Sequence, residues 1–231
     1  MANLIDAEFG EMILSPISRT NKISLKLTPS GKFKITYPKL TPKFIIKAFV
    51  VNHRIQIRKV ASGSNAKKTY QSGDLIGKNH LVKVTEVAGS KSSFKIRNNY
   101  LAVELSSADR LEQSSIQAKI REKVIIILRK QAKDYLPHRL EFMAKSNGFA
   151  YQKIRFSHAS TRWGSCSSRQ TISLNIGLMK LPTDLIDYVI IHELCHTRHM
   201  NHSKAFWQEV YQIVPSYKLL EKQLKLYSPG V

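Results

Sequence analysis

The chain has only two cysteines in 231 residues, Cys166 and Cys195. Two are too few to staple a disulfide scaffold, which points to a reducing compartment. Long apolar runs are missing as well. Stretches such as VIIIL (residues 124–128) fall far short of the roughly 20 residues that span a bilayer, so no membrane partner is expected. The amino terminus, MANLIDAEFGEM, has no basic segment followed by an apolar one, and no secretory signal is expected. Glycine is sparse, and its ten copies form no Walker-type phosphate loop. No obvious carboxylate cluster offers itself to magnesium. These absences describe a cytoplasmic chain without the usual nucleotide-binding equipment.

Acidic residues are also few: 16 against 37 Lys and Arg, a formal charge of +21. Residues 1–110 carry 19 basic and 7 acidic side chains, and residues 111–231 carry 18 and 9, so the charge is not confined to a tail. Such a charge favours polyanions, and nucleic-acid association stays open as a partner class. No RRM, KH or zinc-finger pattern accompanies it, and the basic residues are not interleaved with aromatics as a single-strand platform requires. With 42% hydrophobic and 9% aromatic residues the chain has ample material for a core.

The patterning predicts an α+β chain in two parts, a β-rich region over residues 1–110 and a second domain over 111–231. Residues 23–27 (ISLKL) and 32–37 (KFKITY) alternate apolar and polar side chains around Pro29-Ser30-Gly31, a hairpin signal. Residues 40–60 predict a helix capped at Thr41, with Ile45, Ala48, Phe49, Val51 and Ile55 at helical spacing. Strands are expected over 80–87, 93–97 and 100–106, broken by AGSKS and by Asn98-Asn99. No internal repeat is visible. A long helix is expected from about 111 to 135, kinked or restarted at Pro137 and ended at Asn147-Gly148. Strands follow over 151–157 and 171–178. Helices are expected over PTDLIDYVIIHELCH, capped by Thr183 or its neighbour, then over 203–214 and beyond Pro215.

Four of the eight histidines fall within HELCHTRHMNH, residues 192–202. His192 and His196 stand four apart, so on a helix they share a face one turn apart and converge on one ion. Glu193 points about 100° around the helix, where it misses the metal but reaches a water beside it. The unbroken apolar run before the motif implies a buried helix, in which an unassigned glutamate would be costly. The third ligand is His199 or His202. On a continuous helix His199 would lie about 10.5 Å along the axis from His192, too far for one tetrahedral ion. His202, six residues after His196, has the spacing of the longer H-E-x-x-H-x-x-G-x-x-H pattern and is the expected third ligand. His199 stands where that pattern has its turning glycine, and turns the chain or lies on the rim. A left-handed backbone is tolerated by His or by Asn201. No methionine follows residue 202, so the Met-turn of that group is absent. Three ligands leave a position open, the layout of a catalytic zinc. A water held there, its pKa lowered toward about 7, would give its proton to Glu193 as general base. Cys195 lies on another helix face and reads as core, as do Phe206 and Trp207.

TRWGSCSS, ISLN, LP…IDYVIIHELCH, NHSKAFW and VPSY, in that order, resemble the YgjP-like metallopeptidase family and, more distantly, the SprT-like proteases. The resemblance runs from about residue 119 to 226 and is weaker before 110. It implies a zincin-like metallopeptidase domain with a small mixed sheet and an active-site helix. It implies one Zn2+ per chain on His192, His196 and His202, with Glu193 catalytic. It also implies that the strand before the active helix, TISLNIGL, is a sheet edge able to pair with an extended peptide, with Asn175 as a substrate contact. Arg162 is expected either to bind a substrate carboxylate or phosphate, or to stack on the neighbouring tryptophan. The substrate expected first is a peptide or protein. A nucleotide phosphoanhydride stays open, since some relatives are associated with UTP cleavage. A nucleic-acid-associated protease or adaptor is the third reading.

Overall fold

The computed structural model describes residues 3–18, 20, 22–28, 32–55, 57, 69–89 and 91–230. Two compact units divide at Lys67 and Lys68. The boundary expected at 110/111 therefore falls inside the second unit, because the strands before it share a core with the long helix after it.

In the first unit, strands β1 (Asn3–Asp6), β2 (Gly10–Ile17), β3 (Ser24–Leu27) and β4 (Phe33–Pro38) form a sheet of order β1-β2-β4-β3. The expected hairpin is present, with Leu25 opposite Ile35, although its turn at Pro29-Ser30-Gly31 lies outside the described residues. Helix α1 (Lys43–Asn52) is shorter than the 40–60 expected, and residues 56 and 58–60 lie outside the described set. Pro42, not Thr41, takes the cap position, without a side-chain bond. The core side of α1 is also not the expected one. Ile46 and Val50 are buried, while Ile45, Val51 and Ile55 are exposed. In KFIIKAFVVN only Lys43 and Lys47 share a polar side and apolar residues fill most of the rest, so spacing leaves more than one candidate core side; contact with Met12, Leu14, Phe33 and Ile35 selects it.

The second unit opens with β5 (Leu75–Ile76), β6 (His80–Val87), β7 (Ser93–Ile96) and β8 (Tyr100–Ser106), in the order β5-β6-β8-β7. Ser90, in the expected break AGSKS, lies outside the described residues. The two four-stranded sheets have one topology. In each, the first pair and the last pair are antiparallel and the middle pair is parallel. Each sheet is followed by a helix. The repeat is one of topology, invisible in residue identity.

Helix α2 (Ser114–Ser146) runs unbroken through Pro137 and does not restart there. Its buried stripe, Ala132, Leu136, Leu140 and Ala144, continues past the proline. Pro137 has no N–H for the Lys133 carbonyl, but Lys133 is exposed, on a side of the helix where solvent can satisfy a freed acceptor. Gly148, at φ +65°, ends the helix as expected.

A third sheet, order β10-β11-β9, joins β9 (Lys153–Ser157), β10 (Gly164–Cys166) and β11 (Thr171–Asn175). The expected edge strand, β11, is central: β9 pairs with it in parallel and β10 antiparallel. The edges are β9 and β10, and β10, with three residues, is too short to show an alternation in sequence. Beyond Asn175 the chain leaves the sheet for a 3-10 turn, Ile176–Lys180. Helix α3 (Thr183–Cys195) is almost wholly buried, and Pro182 occupies its cap position without a side-chain cap. Helices α4 (Lys204–Ile213) and α5 (Tyr217–Leu224) complete the chain. No described helix is long and apolar enough to cross a membrane.

A bidentate ion pair fastens α3 to α2: Arg139 Nε and Nη2 donate to the two oxygens of Asp187 at 2.7 and 2.6 Å. Partly buried, this fork is stronger than a surface pair. Arg139→Met is expected to lower stability by about 2 kcal/mol, seen in urea melts as a lower midpoint at unchanged slope.

Candidate metal centre

Helix α3 carries His192 and Glu193 in its last turn, and His196 caps it. The chain then turns back. Thr197 N–H bonds the Leu194 carbonyl, Arg198 and His199 N–H groups bond the Cys195 carbonyl, and the Thr197 hydroxyl donates to Leu194 O at 2.8 Å. Among the described residues the one non-glycine with positive φ is Gln170, so neither His199 nor Asn201 adopts the left-handed backbone expected of the turn. Carbonyl capping by consecutive N–H groups makes it unnecessary. Ser203 restarts the chain as a helix, its side chain accepting from Phe206 N–H.

This reversal brings His202 back over the helix. The ligand atoms of His192, His196 and His202 lie within 4.8 Å of one another, and the Nε2 atoms of His192 and His202 are 3.1 Å apart. A tetrahedral ion with bonds of about 2.0–2.1 Å needs its nitrogens roughly 3.3 Å apart, so the donors fit with small adjustments. His196 Nδ1 donates to the His199 carbonyl at 2.9 Å, which leaves Nε2 as the free lone pair. Burial, with the neighbouring rings adding to it, pushes His192 down to about 4 and also lowers His196, so both are neutral donors. His199 is excluded from the cluster. Its Nε2 lies 2.9 Å from Glu209 Oε2, and Arg198 pairs with the other oxygen of that carboxylate.

All three imidazoles pack on one ring. Phe206 is fully buried, with centroids 5.0, 4.5 and 4.8 Å from those of His192, His196 and His202. Trp207 stacks on His202 at 5.6 Å and on Tyr217 at 5.1 Å, linking the third histidine to α5. Phe206 is core, as expected. Trp207 is only partly buried and lines the cleft.

Glu193 is 5% exposed, and its Oε2 has no hydrogen-bond partner. Burial pushes its carboxyl up to about 8, with the nearby Arg162 charge opposing. A buried acceptor left unmet is costly, and here it faces the three histidines' cleft, where a water or a substrate would satisfy it. Gly164 on β10 makes the space: a Cβ there would lie 2.6–2.8 Å from Oε1, Cγ and Cδ of Glu193. The glycine of TRWGSCSS was visible in sequence, but its role needed the strand placed beside the helix.

Arg162 is exposed beside Glu193, open to a substrate anion. Asn175 is not open to one. It is fully buried, its Nδ2 donating to the Ala159 and Arg162 carbonyls at 2.7 and 2.9 Å and its Oδ1 accepting from Gly177 N–H. The expected substrate contact is corrected to a tie that holds the loop before β10. Cys195 is buried core, as expected.

The family profile described as "YgjP-like, metallopeptidase domain" matches residues 21–227. The chain belongs to the YgjP-like metallopeptidase family. No curated protein matches it. Among solved structures it is similar to the metallopeptidase zymogen of Pyrococcus abyssi abylysin, 26% identical over 38% of this chain and 90% of that one, with a TM-score of 0.36. It is also similar to the metallopeptidase zymogen of Methanocaldococcus jannaschii jannalysin, 21% identical over 39% and 96%, with a TM-score of 0.35. Membership makes this YgjP-like chain a hydrolase of the metallopeptidase kind.

Gly164→Ala forces the Glu193 carboxylate aside without touching a donor nitrogen. It is expected to lower peptidase activity on the order of 100-fold with metal content unchanged, measured by hydrolysis rate and atomic emission on the same preparation.

Proposed function

We propose that this chain is a zinc-dependent peptidase, holding one ion on His192, His196 and His202 and using Glu193 as general base and proton carrier. The observation that carries the reading is the buried, partnerless carboxylate of Glu193, next in sequence to the first histidine. A divalent ion on three neutral imidazoles supplies Lewis acidity and leaves room for water or a substrate carbonyl. Glu193 accepts a proton from the attacking water and returns it to the leaving amine. Its raised pKa suits both halves of that exchange. Gly164 keeps the carboxylate in place, and Arg162 stands beside it to take a substrate carboxylate.

The substrate fits as an extended chain. Strand β10 is a sheet edge packed beside α3, and among the described residues no strand pairs with its outer side, where a peptide strand would add through backbone hydrogen bonds. The nucleotide alternative has less to rest on, since Arg162 beside Glu193 is a single cation and none of the residues lining the cleft is Lys or Arg. Free thiols at Cys166 and Cys195 suit a cytoplasmic setting.

Two measurements test this reading. Glu193→Gln is expected to keep zinc and lose peptide hydrolysis by 10²–10⁴-fold, about the range for a general base; wild-type rates in that variant would refute the mechanism. Assaying casein-derived peptides and UTP in parallel separates the substrate classes, with peptide turnover alone expected. Separately, His202→Ala is expected to lose its zinc while His199→Ala retains it, read by metal content after dialysis; the reverse pattern would move the third ligand to His199.

A further inference from the structure

The cleft beside the histidines differs in its lining from this strongly basic chain, since no Lys or Arg side chain lines it. It is a cavity of about 390 Å³, within the usual range for a ligand site. Apart from the histidines and Glu193, its walls are aromatic or apolar: Trp163, Tyr188, Val189, Trp207 and Leu224. One further charged side chain lines it, Glu221 of α5. In a chain with 37 Lys and Arg against 16 acidic residues, this cleft is lined by two carboxylates and no Lys or Arg, with Arg162 and Lys225 standing outside the lining.

We propose that this cavity is a subsite for a Lys or Arg side chain of the substrate, with Glu221 as its specificity-determining carboxylate. The inference rests on the peptidase reading above and deepens it. A long cationic side chain has an apolar stem and a charged head. The indole rings of Trp163 and Trp207 suit the stem and attract the cation over their faces, and the Glu221 carboxylate takes the head as a charge-assisted partner. Glu221 is held at the cleft because α5 is stacked on it through Tyr217 and Trp207. Without substrate its Oε1 lies 2.9 Å from Lys225 Nζ, one turn on. Lys225 is 70% exposed, and an exposed pair of this kind is weak enough for a substrate cation to displace.

Both of the chain's tryptophans line this cavity, so their fluorescence reports its occupancy. The full chain carrying Glu193→Gln is titrated with end-blocked hexapeptides that differ at one central residue, Arg, Lys, Leu or Glu, and with the Leu peptide bearing a free amino terminus. The Arg and Lys peptides are expected to bind about tenfold more tightly than Leu, and Glu most weakly. Adding Glu221→Gln is expected to bring all of them within about twofold of one another. Equal binding of the blocked peptides, no binding of any, or a charge order that survives Glu221→Gln would each overturn the subsite. A gain confined to the free amino terminus would overturn the side-chain assignment in favour of a terminal amine. If the charge order is found but the wild-type chain cleaves none of these peptides, the peptidase reading fails while the role of Glu221 stands.

Discussion

Three imidazoles rest on one phenylalanine, and the rest of the site follows from that contact. Phe206 is fully buried and lies within 5.0 Å, ring to ring, of His192, His196 and His202. Two of these histidines come from α3 and would converge on the strength of helical spacing alone. The third comes from the far side of a turn, and nothing in the spacing of His202 sets where it stops. It stops where α4 begins. Ser203 caps that helix by accepting from the N–H of Phe206, so one hydrogen bond fixes both the start of the helix and the ring on which the histidines pack. Packing on an apolar ring also strips water from the imidazoles, which favours their neutral, metal-competent form.

The polar groups around the turn are spent on holding it. Arg198 donates to the Gly148 carbonyl at 2.5 Å, lies over the Phe149 ring, and pairs with Glu209, which also faces His199. Arg139 grips Asp187 on the opposite stretch of α3. These contacts account for why His199, although it is one of four clustered histidines, is not a ligand: its ring has a carboxylate partner, and its carbonyl orients His196. Glu193 stands apart from this economy: its buried Oε2 has no hydrogen-bond partner, whereas the Glu209 oxygen that also lacks one lies 2.9 Å from His199 Nε2.

Local periodicity was legible where one face of an element meets one neighbour. The alternation of β4, β6 and β8 and the two helical histidines fall in that class. Legibility failed where tertiary neighbours decide. Helix α1 is apolar around most of its circumference, and its buried face is chosen by the sheet it packs on. Pro137 stays helical because a buried stripe continues on both sides of it. Strand β11 reads as a clean alternating strand, yet whether it is central or an edge depends on β10, a three-residue strand with no pattern to detect. Asn175 has the chemistry of a substrate contact, but its hydrogen bonds are all local and internal. Strands β1 and β2 were missed because GEMILSPI mixes a glycine, a proline and an apolar cluster.

The repeated topology bears on where chemistry is placed. Both units lay a helix after a sheet of the same order and strand sense, but α1 has 10 residues and α2 has 33. Among the described residues the first core gathers eight buried hydrophobics and the second thirty-two. A folded domain is stable by only about 5–15 kcal/mol, and an unpartnered buried polar group costs on the order of 1–3 kcal/mol, more when it is charged. A core of eight side chains has little margin for such a group. The larger core does, and it is there that the chain buries Glu193 and places three imidazoles in ring contact. The raised pKa of Glu193 expresses the same cost: the group is held partly toward its neutral form until something in the cleft supplies the missing partner. A reactive carboxylate of this kind requires a large apolar surround, and the longer α2 together with the third sheet and the helices after it provides one that the first unit lacks.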